Sequence, residues 1–534
     1  VTYPIAPLGV RVRVAAGIYN AAADPSTWPW QDVTLDVDHL VPIDDNIGAP
    51  DDDSEPSTTL SFALKNDLSR IATTVAGRYT CDNPESDLYP FFDVGCPIEY
   101  ALDVGDGSGY RVQVIAFLQA SQNAWPSNTQ YRSVAQITCV GALQRGGVLN
   151  QVQHSPMYRT VMDRRNLGFW PLEDARGSRV AASAIPGQTP LGPYASLALP
   201  EFGAQALVPG VTSGAQFSTG QALGMASLVR PSTSNGIRLG FLMYAGTNPA
   251  AQNTIVTMSN TVNWLFTLEI GPSNLRFRAF NASGVEVSGS PTVGFLGHLA
   301  GPVFVELDLV QISSGTLQWT IRESIWSIGP SGGAGASVGF SNGTFAGALG
   351  NILNAGIGVF GDLNDVWISS LAMTEQPFPA TGGFAAVLGW AGNTASGRVQ
   401  GMCNEAGLPS SVTSTSYGAV LGPQLIDTLR ANMLDIQHTD HGVLSDHLGK
   451  VTYKALQELY NTAPAITLTR AVRGQLGQLD PIRDDTAKAN RVTVTRAGGG
   501  SATVEDTYDI LAKSLYESSP GDLNVAVDSA LIPQ

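Results

Sequence analysis

Charge is scarce in this 534-residue chain, where Asp, Glu, Lys and Arg together fill only 14% of positions. So little charge excludes an architecture of long solvated helices, which keep a charged face toward water. The scarcer sign is positive: 29 Lys and Arg against 45 Asp and Glu leave a net charge of -16, with no basic run to interrupt it. Nucleic acid and anionic membrane surfaces are therefore repelled. Cysteine is rare too. Cys81, Cys96, Cys139 and Cys403 are too few and too scattered for a disulfide scaffold or a closed zinc site and read as buried thiols, with the pairing of Cys81 and Cys96, which flank one loop, left open. No apolar run approaches the roughly 18 residues of a membrane helix, so no membrane anchor is expected. The stretch "VTYPIAPLGVRVRVAAGIYN" lacks the charged-then-apolar order of a signal peptide, and work outside a cell would call for an assembly released by lysis. A P-loop and an H-E-x-x-H are missing.

What is present is apolar and turn-rich: 43% hydrophobic residues with 58 Gly and 32 Pro. That mixture favours many short strands, and the length suggests about three compact units, each able to bury a core. The fold class expected is mainly β with a smaller α+β part, in which β-barrel or sandwich domains flank a lectin-like jelly roll.

Residues 1–153 form the first β domain, with strand-like runs "TLSFAL", "RVQVIAFL" and "SVAQITCVGAL" and a hairpin turn in "VGDGSGYR". Residues 154–168 read as a linker. From Phe169 to residue 376 apolar runs of strand length recur ("IRLGFLMY", "NWLFTLEI", "LRFRAF", "PVFVELDLV", "LQWTIRE", "IGVFGDLNDVWISSLAM"), which implies two packed antiparallel sheets. Residues 377–395 are a second linker, and 396–534 an α+β domain. There Val399, Met402, Cys403 and Ala406 fall on one face of a short helix ended by Gly407. Leu425, Leu429, Met433 and Ile436 form a second helical stripe with Pro423 near its start, and "VTYKA", "AITLT" and "NRVTVTRAGGGSATVED" follow as strands.

Candidate chemistry is thin. "HTDHGVLSDH" places His438, Asp440, His441, Asp446 and His447 together, side chains suited to zinc or iron. Its spacing matches no metal motif, and strand geometry would send His438 and His441 to opposite faces. A helix-to-hairpin turn with its polar side chains in water is the better reading, so the expectation is no catalytic and no metal residue. Asp44, Asp45, Asp51, Asp52, Asp53 and Glu55 offer oxygens for Ca²⁺ without the spacing of a calcium loop, and a solvated acidic loop is favoured over this cofactor. Glu173 and Asp174 would project to opposite faces of a strand, unlike the paired carboxylates of glycoside hydrolysis. Most of the nine tryptophans sit in strand-like runs and read as core.

Three stretches together resemble the minor tail proteins of long-tailed bacteriophages that infect high-GC Gram-positive bacteria. They are "WQDVTLDVDH" with "STTLSFALKND" and "GRYTCDNPESDLYPFFDVGCPIEY", then "SPMYRTVMDRRNLGFWPLEDARGS", then "LTRAVRGQLGQLDPIRDDTAKANRVTVTRAGGGSA". They fall in order across all three segments. Cys81, Cys96 and "DDNIGAP" depart from the family pattern. The middle segment looks like a concanavalin or laminin-G type jelly roll, opening with "FWPLEDARGS" and closing with "GIGVFGDLNDVWISSLAM".

The resemblance implies a structural virion protein at the tail tip, a hub or baseplate-type subunit that closes the tail tube and supports host attachment and DNA delivery. It implies a homotrimer assembled in the host cytoplasm, with a distal tail ring, a tape measure protein and fibres as partners. It also implies a jelly roll touching host surface glycan, DNA that passes without specific binding, and a chain continuing beyond Gln534. An acidic wall would avoid holding DNA. The alternatives are a cell-wall hydrolase using the His/Asp cluster as a metal site, and a freestanding carbohydrate-binding adhesin.

Overall fold

The computed structural model describes residues 9–38, 41–46, 58–66, 77–105, 107–124, 133–145, 149–162, 166–225, 235–262, 264–288, 292–294, 301–328, 334–375, 386–424, 426–460, 490–495, 501–513 and 517–518. Two compact units emerge: one from residues within 1–153, 394–421 and 427–527, the other from residues within 154–393 and 422–426.

The first unit begins with β1 (Gly9–Val14), β2 (Gln31–Asp32), β3 (Asp44–Asn46), β4 (Thr59–Lys65), β5 (Pro97–Asp103), β6 (Arg111–Ala124) and β7 (Val134–Val140). They form one sheet in the order β2-β1-β5-β6-β7-β4-β3, which is open. Every pairing in it is antiparallel. The "VGDGSGYR" turn joins β5 to β6 as expected, with Gly105, Gly107 and Gly109 at positive φ. Strand β6 is apolar without alternation because it is buried on both sides: Val114, Ala116 and Leu118 enter one core, Ile115 and Phe117 another.

The second unit carries a short helix α1 (Pro156–Met162) and the strands β8 (Asn166–Trp170), β9 (Gly192–Pro193), β10 (Glu201–Gln205), β11 (Ser213–Phe217), β12 (Leu223–Met225), β13 (Gly236–Ala245), β14 (Asn253–Asn260) and β15 (Leu265–Ile270). It continues with β16 (Asn274–Phe280), β17 (Thr292–Gly294), β18 (Val303–Ser313), β19 (Thr316–Ile328), β20 (Ala334–Ala346), β21 (Ile352–Ile357) and β22 (Val366–Thr374). Two sheets result, β10-β11-β22-β13-β18-β19-β20 with β8 beside β22, and β17-β16-β15-β14-β21-β12-β9. Phe241 and Leu307 of the first and Phe266 and Phe277 of the second share one core, which makes the unit a β-sandwich. The first and last strands pair, Trp170 opposite Leu371, so the sandwich closes on itself where it opened.

The expected linker at 154–168 contains α1, whose Met157 and Val161 pack with Phe169, Leu242 and Phe304 in a satellite core. The apparent closing strand "IGVFGDLNDVW" is interrupted: β21 stops at Ile357, and a loop with Gly358 and Gly361 at positive φ precedes β22. Only glycine takes that conformation without strain.

The chain then returns to the first unit through α2 (Ala395–Ala406), β23 (Ser410–Val412), α3 (Leu429–Asp440), β24 (Val443–His447) and β25 (Lys450–Lys454). Val399, Met402 and Cys403 of α2 are buried, Thr394 caps its start through the Gly397 N–H, and Gly407 ends it at φ 64°. Helix α3 starts later than Pro423 suggested, at Leu429, because Thr428 caps it through the Ala431 N–H; Leu425 lies outside the described residues. Both helices and the β24–β25 hairpin share a core with Trp28, Ile115, Phe117 and Leu143. Strands β26 (Arg491–Thr495) and β27 (Ser501–Glu505) form the expected hairpin, its glycine tip and "AITLT" lying outside the described residues. Among the described residues no sheet closes into a barrel, so the barrel alternative gives way to open sheets and a sandwich.

Candidate functional site

The "HTDHGVLSDH" cluster does not converge. His438 is exposed on α3, His441 is exposed in the left-handed conformation that ends the helix, and His447 is exposed at the end of β24. Both carboxylates turn inward instead of facing water. Asp440 accepts the Tyr453 hydroxyl at 2.7 Å and the N–H groups of Ala419 at 2.5 Å and Leu456 at 3.1 Å. Asp446 accepts from the N–H groups of Ala142 and Leu143, and burial pushes its carboxyl up to about 7. These two residues tie chain turns together. Among the described residues no group of three or more His, Cys, Asp and Glu is placed to hold a metal ion.

Asp44 and Asp45 lie exposed on β3, while Asp51, Asp52, Asp53 and Glu55 fall outside the described residues. Glu173 and Asp174 lie past the end of β8, where Glu173 accepts from the Thr212 N–H at 3.1 Å and Asp174 from the Ala182 N–H at 3.0 Å. Burial raises both carboxyls above their ordinary range. All four cysteines are free thiols, Cys81 half-buried and the others buried. Trp28, Trp170, Trp319 and Trp367 are core residues; Trp125 and the Trp326 side chain lie outside the described residues.

A site not anticipated from the sequence lies on the outer face of the second sandwich sheet. Strict alternation sends Phe266, Leu268 and Ile270 of β15 and Leu275, Phe277 and Ala279 of β16 into the core. The intervening Thr267, Glu269, Arg276, Arg278 and Phe280 face outward and line a cleft of about 540 Å³. Register places Glu269 opposite Arg276 and Thr267 opposite Arg278, the cross-strand geometry in which opposite charges attract. Arg276 Nε donates to Glu269 Oε2 at 2.7 Å, and the Arg278 guanidinium lies 3.5 Å from Glu269 and 2.8 Å from Glu286. Arg278 also lies over the Phe280 ring, 4.6 Å from its centroid, and the Glu286 carboxylate raises its pKa.

The β21–β22 loop contributes one residue to the lining. Phe360 lines the cleft and is 62% exposed. Asp362 accepts the Thr254 N–H at 2.9 Å through Oδ2, while burial raises its carboxyl above the usual range. Gln252 donates to Asn274 Oδ1 at 2.7 Å. Gln252 Oε1 and Asp362 Oδ1 are buried and have no hydrogen-bond partner among the described residues. With Glu269 gripped by two guanidiniums, the cleft presents fixed polar side chains, an exposed aromatic and one acceptor, Gln252 Oε1, without a donor among the described residues. Its sequence signals were the polar outward positions of "LFTLEI" and "NLRFRAF" and a phenylalanine bracketed by two glycines.

No family model matches the chain, and no curated protein matches it. Among solved structures it is similar to the receptor binding domain of botulinum neurotoxin C/D mosaic serotype, at 12% identity over 41% of this chain and 49% of that chain, with a TM-score of 0.28. The botulinum neurotoxin serotype D binding domain gives 10% identity over 41% and 50%, with a TM-score of 0.27. The botulinum neurotoxin type G receptor binding domain gives 6% over 41% and 49%, with a TM-score of 0.28. The match spans about half the length of those chains. Likeness at that level carries no argument about this chain.

Proposed function

We propose that the chain is a structural subunit of a phage tail tip, a hub or baseplate-type minor tail protein whose sandwich is the arm that meets the host surface. The observation that carries the reading is the way the first unit is interrupted. The segment that leaves it is pinned where the chain re-enters it after residues 422–426: Val152 bridges Thr428, the Gln153 N–H donates to the Asp427 carbonyl at 3.0 Å, and Asn432 Nδ2 donates to Gln153 Oε1 at 3.3 Å. A unit that the chain leaves after residue 153 and rejoins at 394 and again at 427 keeps its own core while carrying a second domain. A scaffold carrying an inserted binding module suits a part that must both assemble and touch.

The same reading includes a homotrimer, tail proteins as partners and a location in the virion, and the net charge of -16 suits a conduit that DNA traverses without sticking. Native mass spectrometry of the full chain and immunogold labelling of intact particles test it. Three copies per assembly and label confined to the distal tail are expected; label along the tube, or none on particles, overturns it.

A further inference from the structure

We infer that the outer-face cleft of the sandwich binds an uncharged, hydroxyl-rich saccharide, with Phe360 stacking on a sugar ring. The inference rests on the reading of the sandwich as the arm that meets the host. Its volume of about 540 Å³ lies within the range of small-ligand sites, about 300–1,000 Å³. Charge decides the ligand class. The guanidiniums of Arg276 and Arg278 are already paired with Glu269 and Glu286. Two cations paired with two carboxylates leave no free positive charge for an anionic ligand. A metal ion is disfavoured as well, since the two guanidiniums neutralise the oxygens it would need.

One acceptor of the cleft lacks a donor. Gln252, which lines the cleft, has a buried Oε1 with no partner among the described residues, a costly state that a ligand hydroxyl would relieve. Phe360, 62% exposed in the cleft lining, presents an apolar face suited to the C–H side of a pyranose. A ligand with hydroxyl donors and an apolar C–H patch, and without charge, is a neutral sugar.

The test is calorimetric titration of the full chain with maltohexaose, cellohexaose, mannohexaose and N-acetylchitohexaose, and with polygalacturonate and polysialic acid as acidic probes. At least one neutral oligosaccharide is expected to bind and the acidic probes to fail. Phe360→Ala is expected to weaken binding about tenfold, with Phe360→Trp restoring it and Phe340→Ala, exposed on the other sheet, leaving it unchanged. An unaltered melting midpoint in Phe360→Ala confirms that the fold survives. No binding by any neutral probe, tighter binding of an acidic one, or indifference to Phe360→Ala overturns the inference. A tail-tip trimer that binds no sugar sinks this inference alone; sugar binding by a chain absent from the tail tip sinks only the hub reading.

Discussion

The hydroxyl of Tyr453 donates to the carboxylate of Asp440 across 2.7 Å, with both residues buried. One comes from the hairpin and the other from the last turn of α3, so the bond fixes how the helix meets the strands. Burial raises the Tyr453 phenol and the neighbouring carboxylate raises it further, so it stays protonated as the donor. Tyr453→Phe removes the donor and leaves a buried carboxylate short of one partner, which is expected to cost about 1–3 kcal/mol. Urea unfolding followed by hydrogen exchange in α3 and β25 measures it, and an unchanged midpoint would show that the bond contributes nothing net.

Asp446 makes the first unit sensitive to pH. Its carboxyl is raised to about 7 by burial, against about 3.9 in an unfolded chain. A carboxyl raised on folding binds more protons in the native state, so its contribution is fully present below the unfolded value and is lost as pH climbs through the folded one. Stability is expected to fall by up to about 1.4 kcal/mol per pH unit between about pH 4 and about pH 7 from this group. Urea midpoints across that range should slope in the wild type and flatten in Asp446→Asn; equal slopes would refute the assignment.

Gly141 has no room for a side chain. A Cβ there would collide with the Asp446 carboxylate and lie 2.9 Å from the Thr58 Cβ. Gly141→Ala is expected to destabilise the first unit by about 1–3 kcal/mol through overpacking. A double-mutant cycle with Asp446→Ala should recover part of that loss; strict additivity would place the strain elsewhere.

The thiols differ in reach. Burial pushes Cys96 and Cys403 up to about 12 and raises Cys139 well above its ordinary value, so none of the three offers an exposed thiolate. Cys81 is half-buried and its thiol is raised less, by burial and by Asp93 and Asp82. Iodoacetamide is expected to label Cys81 first in the native chain and the rest only after denaturation, with peptide mass spectrometry as the readout. Early labelling of Cys403 would contradict the packing around α2.

Thr428 caps α3 through the Ala431 N–H at 3.1 Å. Thr428→Ala should therefore cost about 1 kcal/mol, measurable as a lower melting temperature and faster exchange in the helix's first turn. Thr428→Ser should keep most of the stability, since the hydroxyl is retained.

Much of the fold is written in local periodicity. Alternation in "NLRFRAF" gave β16, and the spacing of Val399, Met402 and Cys403 with Gly407 behind them gave α2, because side chains two apart on a strand or three to four apart on a helix share a face whatever the rest of the chain does. Local pattern misled where a loop was as apolar as a strand: "IGVFGDLNDVW" hides the turn that carries Phe360 and Asp362. The burial of Asp440 and Asp446 was equally illegible, since their partners lie at Tyr453 and Leu456, at Ala419 and, for Asp446, at Ala142 and Leu143, some 300 residues away. Composition alone determined a β-rich, acidic chain with rare thiols. Only the tertiary structure decided that Asp440 and Asp446 of "HTDHGVLSDH" turn inward, that the sandwich interrupts another unit, and that Glu269, Arg276, Gln252 and Phe360 meet in one cleft. Strand register and loop closure bring those residues together, and both are set by packing between distant segments that no local window contains.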